Sequence, residues 1–330
     1  MKRPTLVTVA LAAAAAAAPA TASAASIGLT VPGGDPTIAY TASPGEVNAI
    51  EMHGTVQGGL DLRMPFFEYG APLTVGASCG GTAPIVCGAP DRAFPVDISL
   101  GDKDDVANTN SFTGRLTMDA GADDDDVLAG GIDVTANGGS GNDTMLLAAN
   151  ALATGDGGSG RDKIHAGLGA AAAILTGGTG RDLLVPGGFM FNDAKGGSGN
   201  DTLVSFTGDQ VTLSGGSGSD LLVAPTGRNG IMLDGGADND IAQSHVGSVV
   251  VDAGTGSDFV EVRGGSGTSP DTVTCGSGHD VVWADADDDV AADCELVLRR
   301  GTPPTFEKVR DAEDAARALI AHRANPAAQK

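Results

Sequence analysis

A nine-residue phrase returns along most of this chain at an almost fixed interval. It reads GGSGNDTML over 138–146, GGSGRDKIH over 157–165, GGTGRDLLV over 177–185, GGSGNDTLV over 196–204 and GGSGSDLLV over 215–223. Looser copies occupy 120–128, 235–243, 253–261 and 275–283, and a half copy, GDKDDV, begins at Gly101. The second position of each copy follows its predecessor by 18 to 20 residues until a longer final step. A unit this short cannot bury a hydrophobic face alone, so copies must stack and share one.

The residues between copies say how they stack. Alternating apolar pairs precede several copies: Leu116 and Met118, Val211 and Leu213, Ile231 and Leu233, Val249 and Val251. Period 2 over so few residues predicts a short half-buried strand. A second strand closes the phrase, whose eighth position is a large apolar residue in most copies: Val127, Met145, Ile164, Leu184, Leu203, Leu222, Val260 and Val282. One period is therefore a coil of two short strands and two turns. Stacked coils pair their strands in parallel around a thin ladder of Val, Leu and Ile. Such a core suits a chain with 4% aromatic residues, too few for a thick conventional interior.

Every copy carries Asp at its sixth position: Asp125, Asp143, Asp162, Asp182, Asp201, Asp220, Asp240, Asp258 and Asp280, with Asp105 in the half copy. Stacking sets neighbouring carboxylates one strand spacing apart, about 4.8 Å. They then repel by roughly 0.9 kcal/mol per pair at water's dielectric and several-fold more when shielded from it. Something positive belongs between them. Glycines at the second position (Gly121, Gly139, Gly158, Gly178, Gly197, Gly216, Gly236, Gly254, Gly276) and the fourth (Gly141, Gly160, Gly180, Gly199, Gly218, Gly256, Gly278) let carbonyls turn inward through φ > 0. In two looser copies Asp123 and Asp238 take the fourth position. Carboxylates and carbonyls together form an all-oxygen donor set, which suits a hard cation and favours Ca²⁺ over Mg²⁺. The rival reading is that Asp in a Gly-rich turn only bonds its own backbone, giving a metal-free solenoid; one fixed register in every copy argues against it.

These phrases resemble the hemolysin-type (RTX) calcium-binding repeat, G-G-x-G-x-D-x-U-x, whose fold is a parallel β-roll. The resemblance covers about 101–294 and implies that several Ca²⁺ ions sit in the turns, held by the Asp and Gly residues just named. The closing segment, DTVTCGSGHDVVWADADDDVAADCE, also looks like the end of secreted actinobacterial members. One departure matters: such rolls carry the phrase on both turns of each coil, whereas here non-repeat sequence replaces every second copy. A single column of ions on one edge is expected. Arg161 and Arg181 beside ligand Asp residues, and the loose copy at Asp240, should weaken the sites next to them. N-x-T matches at Asn142 and Asn200 belong to the repeat and are not read as glycosylation sites.

The rest of the chain is read around this roll. Residues 1–24 pair Lys2 and Arg3 with an apolar run and the small triplet Ala22, Ser23, Ala24, the pattern of a secretory signal peptide; a secreted, extracellular protein is expected. In that setting four cysteines predict two disulfides: Cys79 with Cys87 across a short Gly/Pro loop, and Cys275 with Cys294, one period apart, stapling the last coil. Residues 25–100 read as a small β module, 101–298 as the roll, and 299–330 as a tail with a short amphipathic helix over 305–323. The expected fold is thus all-β: a parallel β-roll or β-solenoid preceded by a small disulfide-bonded β module and followed by a short C-terminal helix. Trp283 is expected to cap the last coil.

A net charge of -23 argues against nucleic-acid and anionic-membrane partners, which reward clustered Lys and Arg. No stretch beyond the leader is apolar enough to span a membrane. No H-E-x-x-H is present. Gly76 to Gly80 spell G-x-S-x-G around Ser78, but a nucleophile elbow needs a strand-to-helix turn in an α/β sheet. The expected function is non-enzymatic: a secreted, monomeric calcium-binding protein whose ions complete its folding. The alternative is a surface adhesin or matrix scaffold, using the roll as a stalk toward a cell-surface or polysaccharide partner.

Overall fold

The computed structural model describes residues 26–30, 37–42, 44–45, 47–52, 55–57, 61–67, 74–75, 79–80, 85–87, 95–109, 112, 114–225, 230–245, 248–263 and 270–299. The expected leader lies outside the described residues.

Each coil has a leading strand, a Gly turn ending in Asp, a trailing strand and a second turn. Leading strands stack in parallel and in phrase register: Gly121 beside Gly139, then Gly158, Gly178, Gly197, Gly216, Gly236 and Gly254. Trailing strands stack the same way, from Val127 beside Met145 through Ile164, Leu184, Leu203 and Leu222, and on to Val260 beside Val282. In two coils the strand continues round a corner, giving long strands over Asp126–Ser140 and Thr144–Gly160. Between the two ladders lies a core one side chain thick. The predicted apolar positions Leu116, Met118, Val211, Leu213, Leu233, Val249 and Val251 are all buried within it. On the leading wall, a methyl group built on Gly155 would lie 2.9 Å from both Ile164 and Leu147 of the trailing wall, so a glycine there lets the walls approach.

The parallel stack reaches ahead of Gly101. Strand Thr37–Thr41 pairs in parallel with Val96–Ser99, which pairs in turn with Leu116–Ala122. Likewise Ala49–Met52 pairs in parallel with Val106–Asn108. Antiparallel pairs, such as Thr55–Gln57 with Asp61–Phe67, occupy the excursion between these two coils.

Two parts of the expected fold class are corrected. Among the described residues there is no helix, because the strands of the stack bury alternate residues, as Leu116–Ala122 and Val249–Gly256 do, a period of two that a helix cannot present to the core. The disulfide that the structure describes is Cys275–Cys294, near the C-terminal end of the solenoid and not in a small N-terminal module. Its Cα atoms are 5.2 Å apart, the spacing of adjacent coils. The expected helix over 305–323 lies outside the described residues, as do the side chains of Cys79 and Cys87, whose backbones stand opposite each other in an antiparallel pair. Trp283 also lies elsewhere than expected. It sits on the outer face of its strand, edge-on to Phe259 at 5.8 Å, with the Arg263 guanidinium 4.7 Å from its ring centre. With no helix among the described residues, none crosses a membrane there.

Candidate metal centre

The sixth-position Asp residues form one continuous buried ladder. The backbone N–H of each donates to Oδ1 of the Asp one coil further on: Asp105 to Asp125, then Asp143, Asp162, Asp182, Asp201, Asp220, Asp240, Asp258 and Asp280, at 2.7–2.9 Å. Each backbone carbonyl also accepts from the coil after it, as Asp143 does from Lys163 and Asp182 from Thr202, both at 2.8 Å. Backbone and side chain are thereby fixed together, and the carboxylates point inward, at most 3% exposed.

That geometry uses only one oxygen per carboxylate. Oδ2 of Asp105, Asp125, Asp143, Asp162, Asp182, Asp201, Asp240, Asp258 and Asp280 is buried and accepts no hydrogen bond. Removing a carboxylate from water without a partner penalises its charged form. Burial accordingly raises these groups from 3.8 to about 6 at Asp143, Asp162, Asp182 and Asp201, about 7 at Asp105, Asp125 and Asp258, and about 9 at Asp240. Asp280 is raised for the same reason. The accepted N–H works against the shift, and neighbouring carboxylates add to it.

The orphaned oxygens face first-position glycines. A methyl group built on Gly138 would lie 2.4 Å from Asp143 Oδ2 and 2.7 Å from the carbonyl oxygen of Gly157 in the next coil; Gly157, Gly177, Gly196 and Gly215 repeat the arrangement. At the first position only glycine fits, because any side chain there would collide with the carboxylate of its own coil and a carbonyl of the next. Second- and fourth-position glycines all have φ between 84° and 147°. Asp123 and Asp238 adopt φ of 76° at the fourth position, with their carboxylates exposed outside the ladder. Among the described residues no three acidic, His or Cys side chains converge on one point, so any cation here draws on two carboxylates and backbone oxygens together. The donor set fits a hard cation: anionic oxygen from both sides of each gap, carbonyl oxygen nearby and no competing nitrogen or sulfur.

The expected weak points do not break the ladder. Asp162, Asp182 and Asp240 all keep their rungs, and the side chains of Arg161 and Arg181 are exposed to solvent. Four features escaped the sequence reading. First-position glycines line the orphaned oxygens. Asn48 begins the ladder, donating its N–H to Asp105 Oδ1, while its own Oδ1 accepts from Tyr40 Oη. Glu295 ends it, accepting the N–H of Asp280 at 2.8 Å. Fifth-position side chains form an outer ladder of opposite sense, in which Asp124 Oδ1 accepts the N–H of Asn142 at 2.7 Å, and Asn142 Oδ1 that of Arg161 at 3.0 Å.

On the opposite edge the turns close through neutral groups. Asn192, buried, accepts from the Gly188 N–H at 2.7 Å and donates to Ser205 Oγ and the Thr207 carbonyl. Among the described residues a short acidic counterpart appears near the C-terminal end, where Asp271 Oδ1 accepts from the Val249 N–H and Asp288 Oδ1 from the Asp271 N–H. The described residues thus make a parallel β-solenoid with a regular buried Asp ladder along one edge. No family model, curated protein or solved structure matches the chain, so the chemistry of this edge is argued from the ladder itself.

Proposed function

We propose that the ladder binds a column of Ca²⁺ ions and that the protein is a secreted, non-enzymatic calcium-binding repeat protein of the hemolysin type, folded to completion by its ions. One observation carries the reading: a buried, unpartnered carboxylate oxygen recurs in coil after coil beside a backbone carbonyl. A cation between successive carboxylates would satisfy these oxygens and offset their mutual repulsion. Held by Asp125, Asp143, Asp162 and their equivalents, with carbonyls of the Gly turns, it would bind only the folded stack and stabilise it by mass action. Calcium outside cells, at about millimolar concentration, matches the affinities of extracellular oxygen-donor sites.

The test is far-UV circular dichroism of chelator-stripped protein titrated with CaCl₂, with MgCl₂ as control. A β signal that rises with Ca²⁺ and not with Mg²⁺ is the expected result. A fully folded spectrum that neither ion alters, with no Ca²⁺ retained on equilibrium dialysis, would mean that the ladder stands by protonation, each Oδ2 donating to the adjacent carbonyl, and that the solenoid is a constitutive scaffold.

A further inference from the structure

The two ends of the ladder are closed differently. At the N-terminal end the closing group is the neutral amide of Asn48, held by Tyr40 and by the Leu100 carbonyl. At the C-terminal end three consecutive residues replace the coil that is missing. Asp293 Oδ2 accepts the N–H of Gly276 at 3.0 Å, Cys294 is bonded to Cys275, and Glu295 Oε2 accepts the N–H of Asp280 at 2.8 Å. The last contact reproduces the rung distance of the interior. Glu295 therefore stands where an eleventh ladder Asp would stand, with its longer side chain spanning a shorter connection of 15 residues, against 18 to 22 along the interior.

Asp280 is 1% exposed, and its Oδ2 is buried without a hydrogen-bond partner. Its backbone N–H meets Glu295 as the N–H of each interior ladder Asp meets the carboxylate of the coil after it. Glu295 itself is exposed.

We propose that Asp280 and Glu295 form a terminal cation site of the same oxygen chemistry as the interior gaps, with the Cys275–Cys294 bridge acting as the positioning element that holds Glu295 at rung distance. This rests on the calcium reading of the ladder. The Asn48 end, with a carboxylate on one side only, lacks the matching site.

Trp283, the chain's single tryptophan, follows Asp280 by three residues and gives a local readout. Full-length protein is loaded with Tb³⁺ as a Ca²⁺ surrogate and excited through Trp283, while bound Ca²⁺ is counted by equilibrium dialysis. Glu295→Gln keeps an acceptor for the Asp280 N–H but removes the charge. It should bind one ion fewer and lose roughly half of the sensitised emission, since one of the two gaps flanking Asp280 remains. Asp125→Asn, far along the stack, should lower the count and leave the emission unchanged. The Cys275→Ser/Cys294→Ser pair should match Glu295→Gln. As a check that needs no variant, carbodiimide labelling of Glu295 in the wild-type protein should be suppressed by Ca²⁺.

If wild-type protein binds neither ion, the ladder reading itself fails. If it binds both, while Glu295→Gln keeps the full count and emission or Glu295 labels equally with and without Ca²⁺, the terminal site is overturned. Full occupancy in the double Ser variant would remove the bridge from the proposal.

Discussion

The backbone N–H of Asp182 donates to Oδ1 of Asp201 at 2.8 Å, while Oδ2 of each is buried and unpartnered. One oxygen of Asp201 therefore belongs to the fold, and the other is left for something outside it. Asp201→Asn separates the two roles. The amide keeps an acceptor for Asp182 and places a donor beside the Gly215 carbonyl, which flanks the Gly196 hydrogen together with Asp201 Oδ2. In chelator the variant should be more stable than wild type by about 1–3 kcal/mol, the order of an unsatisfied buried polar group. In Ca²⁺ it should be less stable, because two adjoining gaps lose a charge. Paired thermal melts with and without Ca²⁺ read this reversal of sign, and a loss of stability of equal size in both conditions would count against a cation in the ladder.

The raised carboxyls set the pH dependence of the ion-free protein. Their folded pKa values lie above the unfolded value of 3.8, near 6 at Asp143 and Asp201 and near 7 at Asp125. Between these limits the folded chain holds more protons than the unfolded one, so stability falls as pH rises. In chelator the melting temperature should drop from about pH 4 to about pH 7, and further toward about pH 9 as Asp240 ionises. Saturating Ca²⁺ should flatten this slope near neutrality, and protons should weaken Ca²⁺ binding as pH falls. Melts across this range, in chelator and in Ca²⁺, check both limbs.

Much of this edge was legible before the fold was known, and the limits are physical. Asp143 or Asp201 could be found because stacking demands one residue type at one register, and the 18–20-residue period exposes it. Glu295 could not, since it differs in type and closes its rung over a shorter connection. Asn48 is separated from Asp105 by an excursion that has no repeat, so nothing in the sequence joins Thr37–Thr41 to Val96–Ser99. Asp271 and Asp288 form a rung over 17 residues outside the phrase. Hydrogen bonding between coils, not composition, makes each of these a ladder residue.

Two glycines with similar backbone and different surroundings separate strain from packing. Gly197 has φ of 111°, and a methyl group there would meet the Gly178 carbonyl oxygen at 2.1 Å. Gly45 has φ of 84°, and a methyl group there would have nothing within 4 Å. Gly45→Ala should cost about 1–2 kcal/mol for the left-handed backbone alone. Gly197→Ala adds a collision that forces adjacent coils apart, and should cost about 3 kcal/mol or more. Chemical denaturation in saturating Ca²⁺ compares the two, and equal effects would mean that the coils can separate locally without penalty.

The outer ladder is interrupted where the fifth position is Arg. Asn142 Oδ1 accepts the N–H of Arg161 at 3.0 Å, and further along Asn200 Oδ1 accepts that of Ser219 at 2.9 Å. Between them the N–H of Arg181 makes only a 3.3 Å bond to the Gly160 carbonyl. Arg161→Asn would place an amide oxygen where Asn142 has one, continuing the outer ladder to Arg181. A hydrogen bond of this kind contributes about 0.5–1.5 kcal/mol, so the variant should melt higher than wild type with its Ca²⁺ count unchanged. Slower amide exchange at Arg181 would locate the gain. Stabilisation without that protection would trace it to the lost Arg charge instead, whereas no change in either would mean that the outer ladder follows from the coil geometry and adds nothing to its stability.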